Sequence, residues 1–343
     1  MGAERAAPLR SLGEALDQLA SPYAVEEHAT LGGGGVFFVD LGSGAGAAGP
    51  PKLAAAAASL ARLACPTVAL QPRDADPALS VLRDRFDVVV GSEAEATPVL
   101  DAVARTPIAA TTLVQLLRLA APLAVDDALV AESLAYSVLQ AGPEFAAWRR
   151  AHPARVRPAP ELGPAVAVRR DGDRLELVLN RPARRNAFSV AMRDALAEAL
   201  QLAVSDASLS EIALSGAGPS FSSGGDLDEF GSLPDPATAH LVRTTRNLAR
   251  LLAACAARTR VVVHGACVGA GVELPAFAQR VEARPDATFQ LPELSLGLVP
   301  GAGGTVSLPR RIGRQRTAWL ALSGARVDAA TAQRWGLVDA VLR

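Results

Sequence analysis

The chain has 343 residues, half of them hydrophobic, and a formal net charge of −1. That length holds one large domain or two ordinary ones, and the near-neutral balance leaves no charge excess to point to nucleic acid or an anionic membrane. Lys52 is the sole lysine, so arginine carries the positive charge. Cys65, Cys255 and Cys267 lie far apart, make no metal spacing and suit a reducing compartment. The start, MGAERAAPLR, lacks the apolar core of a signal peptide. Ala6 breaks the myristoylation pattern after Gly2. No uncharged apolar run reaches the ~18 residues of a membrane span. These features predict a soluble, cytoplasmic protein.

In chain order, VFFVD (36–40), PTVALQ (66–71) and DVVVG (87–91) read as strands. KLAAAAASLARLA (52–64) and ALSVLRDRF (78–86) read as the helices between them. Strands alternating with helices predict a small parallel α/β layer. GAGAAG (44–49) fits G-x-G-x-x-G, but Pro50 and Pro51 follow it and the next strand ends at Gln71, not at an acid. A flexible Gly/Ala loop is the better reading than a dinucleotide site. From 97 to 150 the pattern is helical, with Leu113, Leu116, Leu117 and Leu119 at helical spacing. RRAHPARVRPAPELGPA (149–165) reads as a linker.

A second α/β run follows. AVAVRRDGDRLELVLNRP (165–182) predicts a hairpin with a DG turn. Residues 190–206 predict an amphipathic helix, EIALSG (211–216) a strand, 237–256 a helix, and RVVVHGACVG (260–269) a strand running into glycines. The division predicted is 1–155, an accessory α/β and helical domain, and 156–343, a core carrying the chemistry.

Three glycine-rich segments stand out in that core: SFSSGGDLDEF (220–230), GACVGAGVEL (265–274) and FQLPELSLGLVPGAGGT (289–305). Glycine lets backbone approach a ligand closely, and a helix N-terminus presents unpaired N–H groups. Two such N–H groups can bind a carbonyl oxygen as it becomes an enolate, an effect of ~3–4 kcal/mol per donor. Nearby carboxylates, with pKa values raised by burial, can then move protons at the adjacent carbons. Two readings stand for each acid: Glu273 as a dipole partner of its own helix or as a proton carrier, Glu293 as a turn cap or as a proton carrier, and Asp226 as a helix cap or as a ligand-side group. His264 reads as a packed histidine.

LNRPARRNAFS (179–189 region), FSSGGDL, HGACVGAGVEL, FQLPELSLGLVPGAGGT and WGLVDAV together resemble the crotonase, or enoyl-CoA hydratase/isomerase, superfamily, over about residues 164–343. The resemblance implies a core of repeated β-β-α turns with two roughly perpendicular sheets and an acyl-CoA thioester as substrate, with no metal or redox cofactor. It implies an oxyanion hole at the backbone N–H groups of Gly225 and Ala270, with Glu273 and Glu293 as the two catalytic glutamates of a hydratase. Arg185, Ala187, Ser223, Asp226 and Leu227 match positions lining the CoA and acyl path. A homo-oligomer, trimer or hexamer, is also implied. The leading expectation is a lyase adding water across C2–C3 of a 2-enoyl-CoA. The alternatives are an enoyl-CoA isomerase, a specialised crotonase of secondary metabolism (oxygenases included), and a non-catalytic acyl-CoA-binding scaffold. Asp228 stands where many members carry a basic residue, and Gln279 where an Asp is usual. The chain ends at GLVDAVLR, where members continue into helices that cover the site. Helices near 97–150 are expected to occupy that space and to touch the core near Glu273 and Glu293.

Overall fold

In a computed structural model that describes residues 7–33, 35–43, 49–71, 77–155 and 163–343, the first strands form one parallel sheet. Leu9–Ser11, Phe37–Asp40, Thr67–Leu70 and Val88–Val90 lie in sequence order. Parallel neighbours need crossover segments, and helices Leu12–Leu19, Pro50–Leu60 and Ser80–Arg83 supply them. The first helix starts on a capping box: Glu14 N–H donates to Ser11 Oγ at 3.3 Å, and Ser11 N–H to Glu14 Oε2 at 2.8 Å. Three of the strands were expected. Leu9–Ser11 was not, because a three-residue edge strand reading Leu-Arg-Ser carries no apolar run. Of the GAGAAG segment, residues 44–48 lie outside the described residues, and the helix after it opens at Pro50.

The sheet is buried on both faces, as parallel sheets are. Phe37 and Val39 pack with Leu12, Leu16 and Leu60. Phe38, Val68 and Val90 belong instead to the main hydrophobic cluster, which continues into Leu177, Leu214 and Val261 of the second half. Between the halves run helices Glu93–Arg105, Pro107–Ala120, Val125–Gln140 and Pro143–Ala151. Leu113, Leu116 and Leu117 are buried there, whereas Leu119 faces solvent. The expected linker begins later than predicted: Arg149 to Ala151 still belong to the last of these helices, and residues 156–162 lie outside the described ones.

The second half holds a six-stranded sheet ordered Ala340–Val341, Arg280–Ala283, Thr259–Val263, Glu211–Gly216, Arg174–Leu179, Val166–Asp171, and a three-stranded sheet of Val327–Asp328, Thr288–Gln290 and Ala266–Val268. The hairpin turn is shifted by one residue from the expected Asp-Gly: Asp171 pairs with Arg174, leaving Gly172 and Asp173 as the loop, with Gly172 at φ +59°. Glycine at the first loop position is the type II′ pattern. The helix expected over 237–256 is two, Pro236–Thr245 and Leu248–Ala254. Asn247 restarts it by accepting the Arg250 N–H at 2.9 Å. The strand expected over 260–269 is also two. At Gly265, φ +54°, the chain leaves the larger sheet and enters the smaller one. No helix among the described residues is long and apolar enough to cross a membrane.

Candidate active site

Two glycine loops meet between the sheets. Phe188 N–H donates to Gly224 O at 2.8 Å, Asp226 N–H to Phe188 O at 3.2 Å, and Val268 N–H to Ser222 O at 3.0 Å. The approach demands glycine: at Gly224, φ +87°, a Cβ would sit 2.8 Å from Val268 O. On the facing loop Gly269, φ +50°, donates to Gln290 O at 2.9 Å, and a single helical turn, Ala270–Glu273, follows. Pro275 then starts a 3₁₀ turn, so the helix carrying Glu273 is one turn long. Among the described residues, the N–H groups of Gly225 and Ala270 donate to no protein acceptor. Both residues line a cavity of about 750 Å³.

Six acidic residues line the same cavity, and burial perturbs three of them, Glu273, Glu293 and Glu132. Glu273 is not the dipole partner of its own short helix. Its Oε2 accepts the N–H groups of Ala302 and Gly304, both at 2.8 Å, at the start of helix Gly304–Ile312. Glu293 opens the 3₁₀ turn Glu293–Leu296 without capping it, and its Oε2 is buried with no hydrogen-bond partner. The third carboxyl is Glu132, from helix Val125–Gln140. Its Oε1 accepts Gly303 N–H at 2.7 Å, and its Oε2 accepts Thr305 N–H at 2.9 Å and Thr305 Oγ1–H at 2.6 Å. Burial raises all three pKa values. Glu273 is pushed well above the usual carboxylate range by burial and then by the charges of Glu293 and Glu132, against the pull of the Ala302 and Gly304 amides. Burial lifts Glu293 to about 8 and Glu132 to about 7.

The helical segment therefore touches the core beside both glutamates, as expected. Beyond Glu132, the Tyr136 ring covers Gly301, where a Cβ would lie 2.5 Å from Cε2. Arg243 stacks on that ring at 4.7 Å, and its Nε donates to Ser133 Oγ at 3.1 Å. Sequence reasoning missed Glu132, Tyr136 and Arg243. The first two sit on the helix's buried stripe with Ala128 and Leu129, where a glutamate reads as a break in the pattern.

Of the positions matched to the CoA and acyl path, Asp226 lines the cavity. It caps no helix: its Oδ1 accepts Asp228 N–H at 3.1 Å within a turn, and the next helix opens only at Pro236. Arg185, Ala187, Ser223 and Leu227 lie outside the cavity wall. Arg185 sits at φ +51°, and its carbonyl accepts Ser223 N–H at 2.9 Å. Arg185 and Leu227 are exposed, Ala187 and Ser223 half-buried. His264 is packed, with Nε2 2.9 Å from Gly218 O. Among the described residues no group of three metal-ligating side chains occurs.

The closeness of the loops can be tested through stability. Gly224→Ala is expected to lower the unfolding free energy by about 2–4 kcal/mol, from positive-φ strain of ~1–3 kcal/mol and overpacking, because its Cβ would lie 2.8 Å from Val268 O on the facing loop. Gly313→Ala, at φ +85° with nothing within 4 Å of a Cβ, carries the strain alone. Equal urea midpoints for the two variants would show that the loops are not in contact.

The family model described as Enoyl-CoA hydratase/isomerase matches residues 175–343. The chain is 39% identical over 167 residues to the 2,3-dehydroadipyl-CoA hydratase of Escherichia coli, covering 49% of this chain and 65% of that one. It is 37% identical over 169 residues to the 1,2-epoxyphenylacetyl-CoA isomerase of the same organism, covering 48% and 64%. It is 33% identical over 179 residues to a probable enoyl-CoA hydratase of Mycobacterium bovis, covering 52% and 68%. Among solved structures, the enoyl-CoA hydratase of Thermoplasma volcanium aligns at 34% identity over 52% of this chain and 72% of that one, with a TM-score of 0.49. The chain belongs to the enoyl-CoA hydratase/isomerase, or crotonase, superfamily. It spans slightly under two thirds of the length of the two E. coli relatives. The family match contains Gly225, Ala270, Glu273 and Glu293, while Glu132 and Tyr136 precede it.

Proposed function

We propose that the protein adds water across the C2–C3 double bond of a 2-enoyl-CoA thioester. The observation that carries this reading is the convergence of two unpaired amides, Gly225 and Ala270, with the carboxyls of Glu273 and Glu293 on one cavity. The amides take the thioester oxygen and stabilise the enolate form of the acyl group. Glu273, anchored through Oε2, uses Oε1 to hold a water and remove its proton as the oxygen bonds to C3. Glu293 gives a proton to C2, and the enolate collapses to the 3-hydroxyacyl thioester. Only water and protons move, so the reaction asks for no redox group or metal. Asp226 is proposed to face the substrate from the cavity wall. Arg185, Ala187, Ser223 and Leu227 are proposed to meet the CoA portion outside it. Residues 1–155 are proposed as an accessory domain whose helices complete the wall, in a homo-oligomer of the cytoplasm.

The test is incubation with crotonyl-CoA and longer 2-enoyl-CoAs, following loss of the conjugated enoyl absorbance. CoA thioester binding without turnover would replace the hydratase reading with that of a binding protein. One observation favours a second reading: a relative at 32% identity over 174 residues is named an enoyl-CoA isomerase/hydratase. A 3-enoyl-CoA converted to the 2-enoyl isomer faster than crotonyl-CoA is hydrated would establish that one.

The active state carries one proton on the Glu273–Glu293 pair. A bell-shaped profile of kcat/KM is expected. As pH rises, the pair loses its last proton and the donor is lost; as pH falls, it takes up a second proton and the base is lost. Since burial raises Glu273 and lifts Glu293 to about 8, both limbs should lie above the ordinary glutamate range. A flat profile from pH 5 to 9 would contradict the assignment.

A further inference from the structure

Loop residues 302–305 divide their N–H groups between two carboxyls in strict alternation. Ala302 and Gly304 donate to Glu273; Gly303 and Thr305 donate to Glu132. Helix Gly304–Ile312 has no side-chain cap of its own, its N-cap being Gly303. The loop fits Glu273 closely, because a Cβ on Gly304 would lie 2.6 Å from Glu273 Cγ. Helix Val125–Gln140 grips the loop at both ends, with the Tyr136 ring on Gly301 and the Glu132 carboxylate on Gly303 and Thr305.

We infer that Glu132, supplied from outside the family-matched segment, is a positioning residue of this site: it fixes the loop that holds Glu273 and places a second negative charge beside that carboxyl. The inference rests on the hydratase reading for its consequence on rate, but not for its consequence on the protons of the site. Three features support it beyond a structural cap. Glu132 is 2% exposed, and among the described residues it makes no ion pair. Arg243, whose charge reaches Glu132, spends its hydrogen bonds on Ser133, Ser137 and Gln140. Both carboxylate oxygens are taken by donors, and two of the three are amides that can only donate. The ionised form therefore suits the loop best, and its charge acts on Glu273 across the loop backbone.

The titratable groups around Glu132 are few. Its own helix contributes Tyr136. The packed helix Pro236–Thr245 contributes Arg243 and His240, whose Nδ1 lies 2.9 Å from Ser133 Oγ. The helix Leu248–Ala254 contributes Arg250, paired with Asp126 at 3.0 Å. The helix Gly304–Ile312 contributes Arg310, bound to the carbonyls of Val306 and Leu123. The core contributes Glu273 and Glu293. Burial is the main reason that Glu273 and Glu293 hold their protons firmly, and the Glu132 charge, present above its own value of about 7, adds to both.

Glu132→Gln keeps the shape but sets an NH₂ group against one of the loop donors and removes the charge. The expected result is a kcat lowered about 100-fold with KM nearly unchanged, the cost of misplacing a reacting group, and the alkaline limb of the pH profile moved to lower pH, since Glu132 is charged above its own value of about 7. Thr305→Val removes one of the three bonds and no charge. It should lower kcat roughly 5–10-fold, the worth of about one hydrogen bond, without moving the profile. Infrared titration of the protonated carboxyl band, without substrate, reads the same charge independently of turnover. Its midpoint should fall in Glu132→Gln, and the band should diminish in Glu273→Gln. If no enoyl-CoA is turned over but the midpoint falls, the hydratase reading fails and Glu132 keeps its place. An unmoved midpoint in Glu132→Gln overturns the inference, as does wild-type kcat in Thr305→Val should Glu132→Gln not fold.

Discussion

Glu273→Gln is expected to lose a factor of about 10²–10⁴ in kcat, the usual worth of a positioned acid or base, while retaining its fold and thioester affinity. The reason lies in which oxygen the protein has already used. The Ala302 and Gly304 amides need an acceptor, so the glutamine will turn its carbonyl oxygen to them. Its NH₂ then points to the cavity, where the carboxylate offered an acceptor and a base. A donor in that place can neither orient the attacking water through its proton nor remove that proton. Glu293→Gln should lose a similar factor for the opposite reason. Its buried Oε2 has no protein partner to satisfy, and an amide there cannot deliver a proton to C2. Because the two groups share one reaction, the double variant should be little worse than either single one. The measurement is steady-state hydration of crotonyl-CoA, with calorimetry for thioester binding. A Glu273→Gln enzyme keeping more than a tenth of wild-type kcat would remove the base from that residue.

The elements of this site differ in how plainly they show in the chain. Gly224, Gly269 and Gly304 show because their positions admit no side chain: a Cβ at each would strike Val268, Glu293 or Glu273. Close approach leaves a mark that spacing can reveal, and the acids one turn beyond the glycines come with it. Glu132 leaves no such mark. It lies in a stripe with Ala128, Leu129 and Tyr136 that periodicity assigns to the core. Its partners are 171 and 173 residues away, and no local pattern records contacts of that range. Strand ends were legible where apolar runs were clean, as in Glu211–Gly216, and illegible where tertiary pairing overrode propensity. VVVHGACV looks like one strand, yet Gly265 sends its two parts to different sheets. The break at Arg246–Asn247 was marked only by a capping asparagine inside an otherwise helical stretch.

Asp87→Ala is expected to be the most destabilising single change away from the site, by about 3–5 kcal/mol, the cost of removing one partner from a buried ion pair. Asp87 is fully buried and joins three separated parts of the chain. Thr67 donates to Oδ2 through N–H and Oγ1–H, both at 2.9 Å. Arg118 Nε donates to Oδ1 at 2.9 Å from helix Pro107–Ala120, and Arg314 Nη1 donates to Oδ1 at 3.0 Å from the start of helix Arg314–Ser323. The guanidiniums also bind carbonyls of Leu63, Cys65, Asp84 and Phe86. Removing the carboxylate strands two cations side by side with carbonyls alone to balance them. Repulsion between them adds to the desolvation each already bears. Asp87→Asn keeps the volume and one acceptor, so it should cost less than the alanine change but more than an exposed substitution such as Asp17→Asn, whose Lys52 partner is a surface ion pair. Because the network ties the first sheet to a helix of the family-matched half, its loss should also loosen one half from the other. Limited proteolysis should then cut near residues 84–88 in Asp87→Ala at temperatures where the wild type resists. Urea midpoints measured for the three variants check the order. An Asp87→Ala stability within about 0.5 kcal/mol of the wild type, the range of a surface change, would show that the cluster joins the halves without stabilising them.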